Sequence, residues 1–157
     1  MSDQSGSGHD SRADTLAHIA LVRDHLDSFV TEMLKPGAGH DGSKLTPAEK
    51  PTFDRVLPLL AGAAYGSAEY QALLDHAKPM LQHHYAHNSH HPEHYGERGI
   101  AGMDLFDVVE MVCDWMASAQ RHPRDGVKLA HNVALFHIEP QLASILANTL
   151  ARWPTSG

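Results

Sequence analysis

Several features that are common in other proteins are scarce in this chain of 157 residues. Its single cysteine, Cys113, excludes an intramolecular disulfide and a cysteine-based zinc finger, and it favours a reduced, cytoplasmic protein. The longest apolar runs are far too short to cross a bilayer, so we expect no membrane partner. The polar residues 1–8 lack the basic-then-apolar order of a signal peptide, which again predicts a cytoplasmic location.

Positive charge is also in short supply. Lys and Arg number 12 against 19 Asp and Glu, which gives a net charge of −7 with the histidines neutral. Because binding along double-stranded nucleic acid needs a basic face, this balance argues against such a partner. A small phosphorylated ligand remains compatible with it, since bound divalent cations dominate the local charge of a site.

The residues that are present predict one helical domain behind a short tail. Residues 1–12 are rich in Ser, Gly and Asp, and we expect them to be disordered. Over residues 13–154 apolar positions recur at helical spacing and no segment alternates with period two, which predicts an all-α fold, a single compact domain of five to six helices. The predicted helices span about 15–34, 47–62, 68–87, 105–120, 127–136 and 140–153, and residues 88–102 are predicted as an irregular loop.

Local patterns make further predictions about single residues. The first helix is expected to bury one apolar stripe, formed by Ile19, Val22, Leu26, Phe29, Val30 and Met33. Thr46 to Glu49 has the sequence of a capping box, which gives Glu49 a structural role at the start of the second helix. Ser67 and Asp104 are expected to cap the helices that follow them, and Asp107 is expected on a solvated face.

Histidine is the outlier of the composition, with 14 of the 157 residues. Seven of the fourteen lie between His76 and His94, in an internal and interrupted cluster that no terminal tag explains. Imidazole is the commonest metal ligand in proteins, so this cluster with acidic residues nearby predicts a metal site. For any one of these histidines taken alone, a solvated position is the simpler interpretation.

Four pieces of the sequence carry candidate metal ligands. The first is a histidine on the first helix, and periodicity alone does not choose between His18 and His25. The second is the adjacent pair His40 and Asp41 in a short turn flanked by glycine. The third is the histidine-rich segment, with His83, His84, His90 and His91. The fourth is an acidic stripe on a late helix, with Glu110 and Asp114.

Three motifs follow one another along these pieces. Residues 40–49 read HDxSKxxxxE, residues 83–93 read HHxxxNxHHxE, and residues 110–115 read EMxxDW. The chain thereby resembles an uncharacterised family of bacterial and phage proteins with these motifs, and beyond it the HD-domain superfamily of metal-dependent phosphohydrolases. The resemblance implies an HD-like helical metal-binding domain over residues 13–154. In that superfamily a first-helix histidine, the His-Asp pair and a late aspartate hold one metal, and histidines between them hold a second.

Carried onto this chain, the resemblance implies His18, His40, Asp41 and Asp114 as ligands, with further histidines from the segment between. It favours His18 over His25. Lys44 matches the lysine that faces the substrate in an HDxGK variant, although the glycine and serine here stand in the opposite order. Whether the site holds one ion or two stays open, and so does the identity of the metal: Fe, Mn, Co or Zn.

The histidine-rich segment leaves two choices unresolved. His84 continues the apolar stripe of its helix better than His83 does, while His90 and His91 lie in a predicted loop where periodicity does not separate them. Residues expected to orient ligands or bind substrate are Asn88, Glu93 and Glu110, the last also a candidate proton acceptor.

The leading functional hypothesis is hydrolysis of a small phosphorylated, nucleotide-like substrate by a metal-activated hydroxide. In this hypothesis Asp41 binds metal and orients the nucleophile, and Lys44 offsets charge on the phosphoryl oxygens. The alternatives are an HD-type di-iron oxygenase acting on a diol or phosphonate, and a non-catalytic metal-binding helical module. The resemblance also implies pairing into a homodimer as an alternative to a monomer.

Overall fold

The computed structural model describes residues 10–63, 67–121 and 126–153, and these form helices joined by turns. The described elements are six α-helices and two 3-10 segments: α1 Arg12–Gly39, η1 Gly42–Leu45, α2 Lys50–Gly62, α3 Ala68–His87, η2 Pro92–Gly102, α4 Leu105–Arg121, α5 Leu129–Leu135 and α6 Pro140–Arg152. The all-α prediction is confirmed, although the described helices exceed the predicted five to six once the two 3-10 segments are counted. None of the described helices combines the length and the apolarity that crossing a bilayer requires.

The chain divides into two compact units, one up to Ala38 and one from Gly39 onward. The first unit consists of α1, which begins where the Arg12 N–H donates to the Asp10 carboxylate and continues through Pro36, beyond the predicted end. No residue of α1 is buried, so the prediction of a buried stripe is wrong: Ile19 and Leu26 are 55% and 60% exposed. Helical periodicity specifies which residues share a face and does not specify what covers that face.

In the second unit, α2 packs against α3 around Val56, Ala77 and Met80. The predicted cap of α3 is confirmed, since the Ser67 hydroxyl accepts a hydrogen bond from the Tyr70 N–H at 3.1 Å. The helix runs unbroken through Pro79 to His87. Its last turn carries His84 and His87.

A second cluster of buried residues joins α4 to the last two helices: Met111, Val112, Ile138 and Leu146. The predicted cap of α4 is confirmed, because the Asp104 carboxylate accepts hydrogen bonds from the N–H groups of Phe106 and Asp107. The core face of α4 is thereby fixed, and it leaves Glu110 and Asp114 beside that face with their side chains only 11% and 26% exposed.

Residues 88–102 are more ordered than the predicted irregular loop. Pro92 to Gly102 forms η2, whose two turns are separated by Gly96 and Gly99 at φ 58° and 47°. Positive φ is a conformation that glycine adopts without steric cost, which explains how the segment kinks between its helical turns. The observed order comes from tertiary contacts that a turn-residue count does not report.

The strongest of these contacts is made by Asp107, whose prediction as a solvated residue is wrong. Asp107 is 8% exposed, and its Oδ2 accepts hydrogen bonds from the Tyr95 hydroxyl and from the Asp104 N–H. Gly102 also lies close against Tyr95, since a Cβ at Gly102 would lie 2.6 Å from the Tyr95 Cβ. Tyr95 therefore locks η2 onto the first turn of α4.

Candidate metal centre

Four segments of the second unit bring polar side chains to one place: the turn before η1, the end of α3, the link that follows it, and α4 with Glu110 and Asp114. His40 and Asp41 lie in the turn before η1, with Asp41 in the left-handed region at φ 53°. His84 lies in the last turn of α3, and His90 and His91 lie in the link between α3 and η2. Short polar residues such as aspartate tolerate the left-handed conformation at modest cost, so the sharp turn at Asp41 is compatible with the side chain that it carries.

The hydrogen bonds of three of these histidines determine which ring nitrogen carries a proton. The Nδ1 atoms of His40 and His90 lie 2.9 and 3.1 Å from Oε1 of Glu110. Nδ1 of His84 lies 2.9 Å from Oε2 of Glu49. A carboxylate only accepts hydrogen bonds, so we assign the proton of each neutral ring to Nδ1 and a lone pair to Nε2.

The Nε2 atoms of these rings converge on the two carboxylate oxygens of Asp41. Nε2 of His84 lies 3.1 Å and Nε2 of His90 lies 3.6 Å from Oδ1 of Asp41, and Nε2 of His40 lies 3.4 Å from Oδ2. Across the described residues, the buried Asp41 Oδ1 and His90 Nε2 have no hydrogen-bond partner. Two buried acceptors that face each other without a proton between them are costly unless a cation lies among them.

The separations between these atoms suit ligands of a common metal ion. Two ligands with bonds of about 2.1 Å lie about 3.0 Å apart at a right angle and about 3.4 Å apart at the tetrahedral angle. His84 Nε2 lies 2.9 Å from His91 Nε2, and His40 Nε2 lies 3.5 Å from Asp114 Oδ1. The residues present therefore fit a divalent transition metal, whose preferred ligands are imidazole and carboxylate.

Two donor groups occur among the described residues, each with its ligand atoms within 4.8 Å of one another. One contains His40, His90 and Asp114, and the other contains Asp41, His90 and His91. They share His90, whose Nε2 has a single lone pair and binds one ion at a time. If two ions bind, one group must complete its coordination with another ligand, and His84 is the nearest imidazole to Asp41.

Formal charge also favours a cation. Asp41, Glu49, Glu110 and Asp114 contribute four negative charges and Lys44 contributes one positive charge, which leaves −3 when the imidazoles are neutral. One divalent ion reduces this to −1 and two ions bring it to +1. Carboxylates gathered at this density without a compensating cation repel one another at close range.

The pKa values agree with a set of unprotonated ligands. Burial works to raise the pKa of Asp41, but the Lys44 ammonium, which donates to its Oδ2 and adds a positive charge beside it, holds that pKa well below its usual range. Burial, with the neighbouring His90 and His84 rings, lowers the pKa of His91 to about 3. Burial also lowers the pKa of His90, although the adjacent Glu110 carboxylate opposes the shift. At neutral pH these side chains present lone pairs, which metal binding requires.

Glu49 is the main residue of this site that sequence reasoning misjudged. The capping-box prediction is wrong: the Thr46 hydroxyl donates to the Ser43 carbonyl, and Glu49 is 0% exposed. Its carboxylate instead accepts hydrogen bonds from Nδ1 of His83 and of His84 at 2.7 and 2.9 Å, and from the Ser43 hydroxyl at 3.0 Å. The signal was present, because the HDxSKxxxxE pattern ends at Glu49.

The other predicted residues divide between the edge of this site and positions away from it. Lys44 Nζ pairs with Asp41 Oδ2 and is 37% exposed. Asn88 is buried at the end of α3, where its amide donates to the His84 carbonyl and to the Ser43 hydroxyl at 2.7 Å. His83 is directed to Glu49 and lies in neither donor group of the described residues.

Two further predicted residues have exposed side chains. His18 lies on α1, in the first unit. Glu93 lies in the first turn of η2. Burial raises the pKa of Tyr85, and the negative charge of Glu93 raises it further. The structure thus gathers His40, Asp41 and Asp114 with His84, His90 and His91, and surrounds them with Glu49 and Glu110.

Comparison with known proteins adds a family to this geometry. No curated protein and no solved structure gives a significant match. One family model does match, and it covers residues 8–152, which is nearly the whole chain and includes every residue of the site. The chain therefore belongs to DUF5662, a family of unknown function.

Proposed function

We propose that this protein is a metal-dependent phosphohydrolase that acts on a small phosphorylated, nucleotide-like substrate. The observation that carries the proposal is the convergence of unprotonated imidazole and carboxylate atoms on one point, with a partly exposed lysine beside it. The resemblance of residues 40–49, 83–93 and 110–115 to HD-domain motifs supports the same reaction class.

In this proposal the ligands come from both donor groups, with His84 in addition. His40 and Asp114 bind metal on the Oδ2 side of Asp41, and His84, His90 and His91 bind metal on its Oδ1 side. A divalent ion bound there supplies Lewis acidity, which lowers the pKa of a water ligand and offsets charge on a phosphoryl group. Glu110 and Glu49 hold the protons on the outer nitrogens of the histidines, so that the inner nitrogens stay unprotonated.

Lys44 is the residue that we assign to the substrate. Its ammonium pairs with Asp41 and lies 5.3 Å from the centre of the Phe53 ring. Because its side chain is 37% exposed, it can leave Asp41 and reach a phosphoryl oxygen without displacing buried side chains. Preorganised cations of this kind stabilise the charge that develops during phosphoryl transfer.

A second candidate is the di-iron oxygenase, and the observation that favours it is the pair of overlapping donor groups, which offers places for two ions. Imidazole and carboxylate ligands suit iron as well as zinc or manganese. Mössbauer spectra of anaerobically prepared protein separate the candidates, since a coupled di-iron signal supports the oxygenase and its absence argues against it.

The test of the proposed hydrolase uses chelator-treated protein reloaded with Mn²⁺, Co²⁺, Fe²⁺ or Zn²⁺. Phosphate release is measured from aryl phosphomonoesters, aryl phosphodiesters and nucleotides. We expect phosphate release from protein loaded with at least one of these ions. We expect Lys44→Gln to lower kcat/KM by about 100-fold while the metal content is unchanged. The matched control is Lys50→Gln, which removes an exposed lysine of the same chain region that pairs with Asp54. Fully loaded protein that hydrolyses none of these substrates contradicts the proposal.

A further inference from the structure

A second pair of histidines lies outside the converged site, on the flank of α3. His83 and His87 are one helical turn apart, His87 is exposed, and the side chain of His83 is 38% exposed. Their rings stack with centroids 4.1 Å apart and planes inclined by 20°. Residues four apart on a helix share a face, so both rings lie on the same side of α3.

The hydrogen bonds of this pair indicate which ring nitrogen carries the proton of each neutral ring. Nδ1 of His83 lies 2.7 Å from Oε1 of Glu49, and Nδ1 of His87 lies 2.8 Å from the carbonyl oxygen of His83. Both partners only accept hydrogen bonds, so each neutral ring carries its proton on Nδ1 and a lone pair on Nε2. Histidine ligands of metals commonly have this arrangement, with the outer ring nitrogen donating to a carboxylate or a backbone carbonyl.

We propose that His83 and His87 form a separate outer site that binds one divalent transition-metal ion of the Cu²⁺, Ni²⁺ or Zn²⁺ class. Two histidines at i and i+4 on one helix face are a known metal-binding arrangement. Cu²⁺ binds most tightly at nitrogen ligands of this type, and water completes the coordination at so exposed a position. This site is independent of the proposed hydrolase, because neither histidine belongs to the inner donor groups of the described residues.

Glu49 connects the two sites. Its Oε1 holds His83 of the outer site, and its Oε2 holds His84 of the inner site. The carboxylate is 0% exposed and is therefore unable to turn away from either ring into solvent. Glu49 thus positions one ligand of each site, and loss of Glu49 should weaken both sites.

The experiment titrates chelator-treated full-length protein with Cu²⁺ and counts bound equivalents by calorimetry, with EPR to report nitrogen ligands. We expect His87→Ala to lose one equivalent together with its two-imidazole EPR signal. His76→Ala, which removes an exposed histidine from the same helix, should keep both. His87→Gln repeats the test with a side chain that retains polarity, and circular dichroism verifies that both variants are folded.

His90→Ala distinguishes this proposal from the proposed function. It should lose inner metal and keep the equivalent that His87→Ala loses. If His87→Ala and His87→Gln bind as many equivalents as the unmodified chain, the outer site does not exist, whatever the inner site does. If His90→Ala binds as many equivalents as the unmodified chain while the His87 variants lose one, the inner metal centre is refuted and the outer site is supported.

Discussion

Replacement of Glu49 by glutamine tests whether buried carboxylates set the ligands of the metal centre. The side chain keeps its shape, but one carboxylate oxygen becomes an NH₂ group. Glu49 now accepts from His83 through Oε1 and from His84 through Oε2, so the new NH₂ group must face one imidazole N–H. Two donors then oppose each other in a position with 0% exposure, where water does not reach to separate them.

The size of the effect follows from these contacts. A hydrogen bond to a charged group contributes about 1.5–3 kcal/mol, and a buried donor left without a partner costs about 1–3 kcal/mol. These terms overlap, so we expect Glu49→Gln to lower the free energy of unfolding of the metal-free protein by about 2–4 kcal/mol. Loss of the group that orients a ligating histidine weakens metal binding by about 10–100-fold, which is our expectation for the inner ion.

The assay has two parts. Urea unfolding in the presence of a chelator gives the stability of the metal-free protein, and competition with a chromophoric chelator gives the metal affinity. Glu97→Gln is the matched control, because Glu97 is exposed on η2 and should change neither quantity. Unchanged metal affinity in a folded Glu49→Gln protein would refute the reasoning that Glu49 fixes the tautomer of His84.

Further predictions concern the segment that carries His90 and His91, and the choice between adjacent histidines. Asp107→Asn should lower the free energy of unfolding at pH 7 by about 1–2 kcal/mol, because a charge-assisted bond to Tyr95 is lost. Burial works to raise the pKa of Asp107, but its hydrogen bonds lower that pKa in the folded state. The stability that the Asp107 carboxylate contributes is therefore fully present above the unfolded pKa of about 3.9, and it is lost as pH falls through the folded pKa. Urea titrations from pH 7 to pH 3 should show the two proteins converging in acid, and a constant difference contradicts this. Gly102→Ala should destabilise by about 1–3 kcal/mol, since the added methyl overlaps Tyr95; an unchanged Tm contradicts the tight contact. His84→Ala should lose inner metal that His83→Ala retains at least in part, as measured by metal content after dialysis; equal losses contradict the assignment of His84 as the ligand.

Much of the helical pattern was accessible to sequence reasoning because its signals are local. Ser67 and Asp104 each cap the helix that was predicted to follow them, and periodicity placed α4 and α6 within one residue of their observed ends. The continuation of α1 through Pro36 was missed. Proline ends a helix often enough to predict a boundary, but it removes only one hydrogen bond when the preceding turn tolerates the ring.

The errors at the site have a common physical origin. Glu49 and Asp107 were assigned local roles, one as a cap and one as a solvated residue, whereas both are buried and bond to side chains distant in sequence or in another element. A local pattern reports which contacts are available nearby and contains no information about a partner 35 residues away, such as His84 for Glu49. The same limit left open whether His83 or His84 is the metal ligand. Adjacent residues on a helix point in different directions, and periodicity does not identify the neighbour that each one meets.

The central claim is that the inner Nε2 atoms and the Asp41 carboxylate hold a divalent ion. The most direct measurement is an anomalous difference map from a crystal grown with Mn²⁺ or Zn²⁺ and recorded at the absorption edge of that metal. We expect a peak about 2.0–2.3 Å from His90 Nε2 and from an oxygen of Asp41. Peaks confined to surface histidines, or no peak among His40, His84, His90 and His91 in a crystal shown to contain the metal, would contradict it.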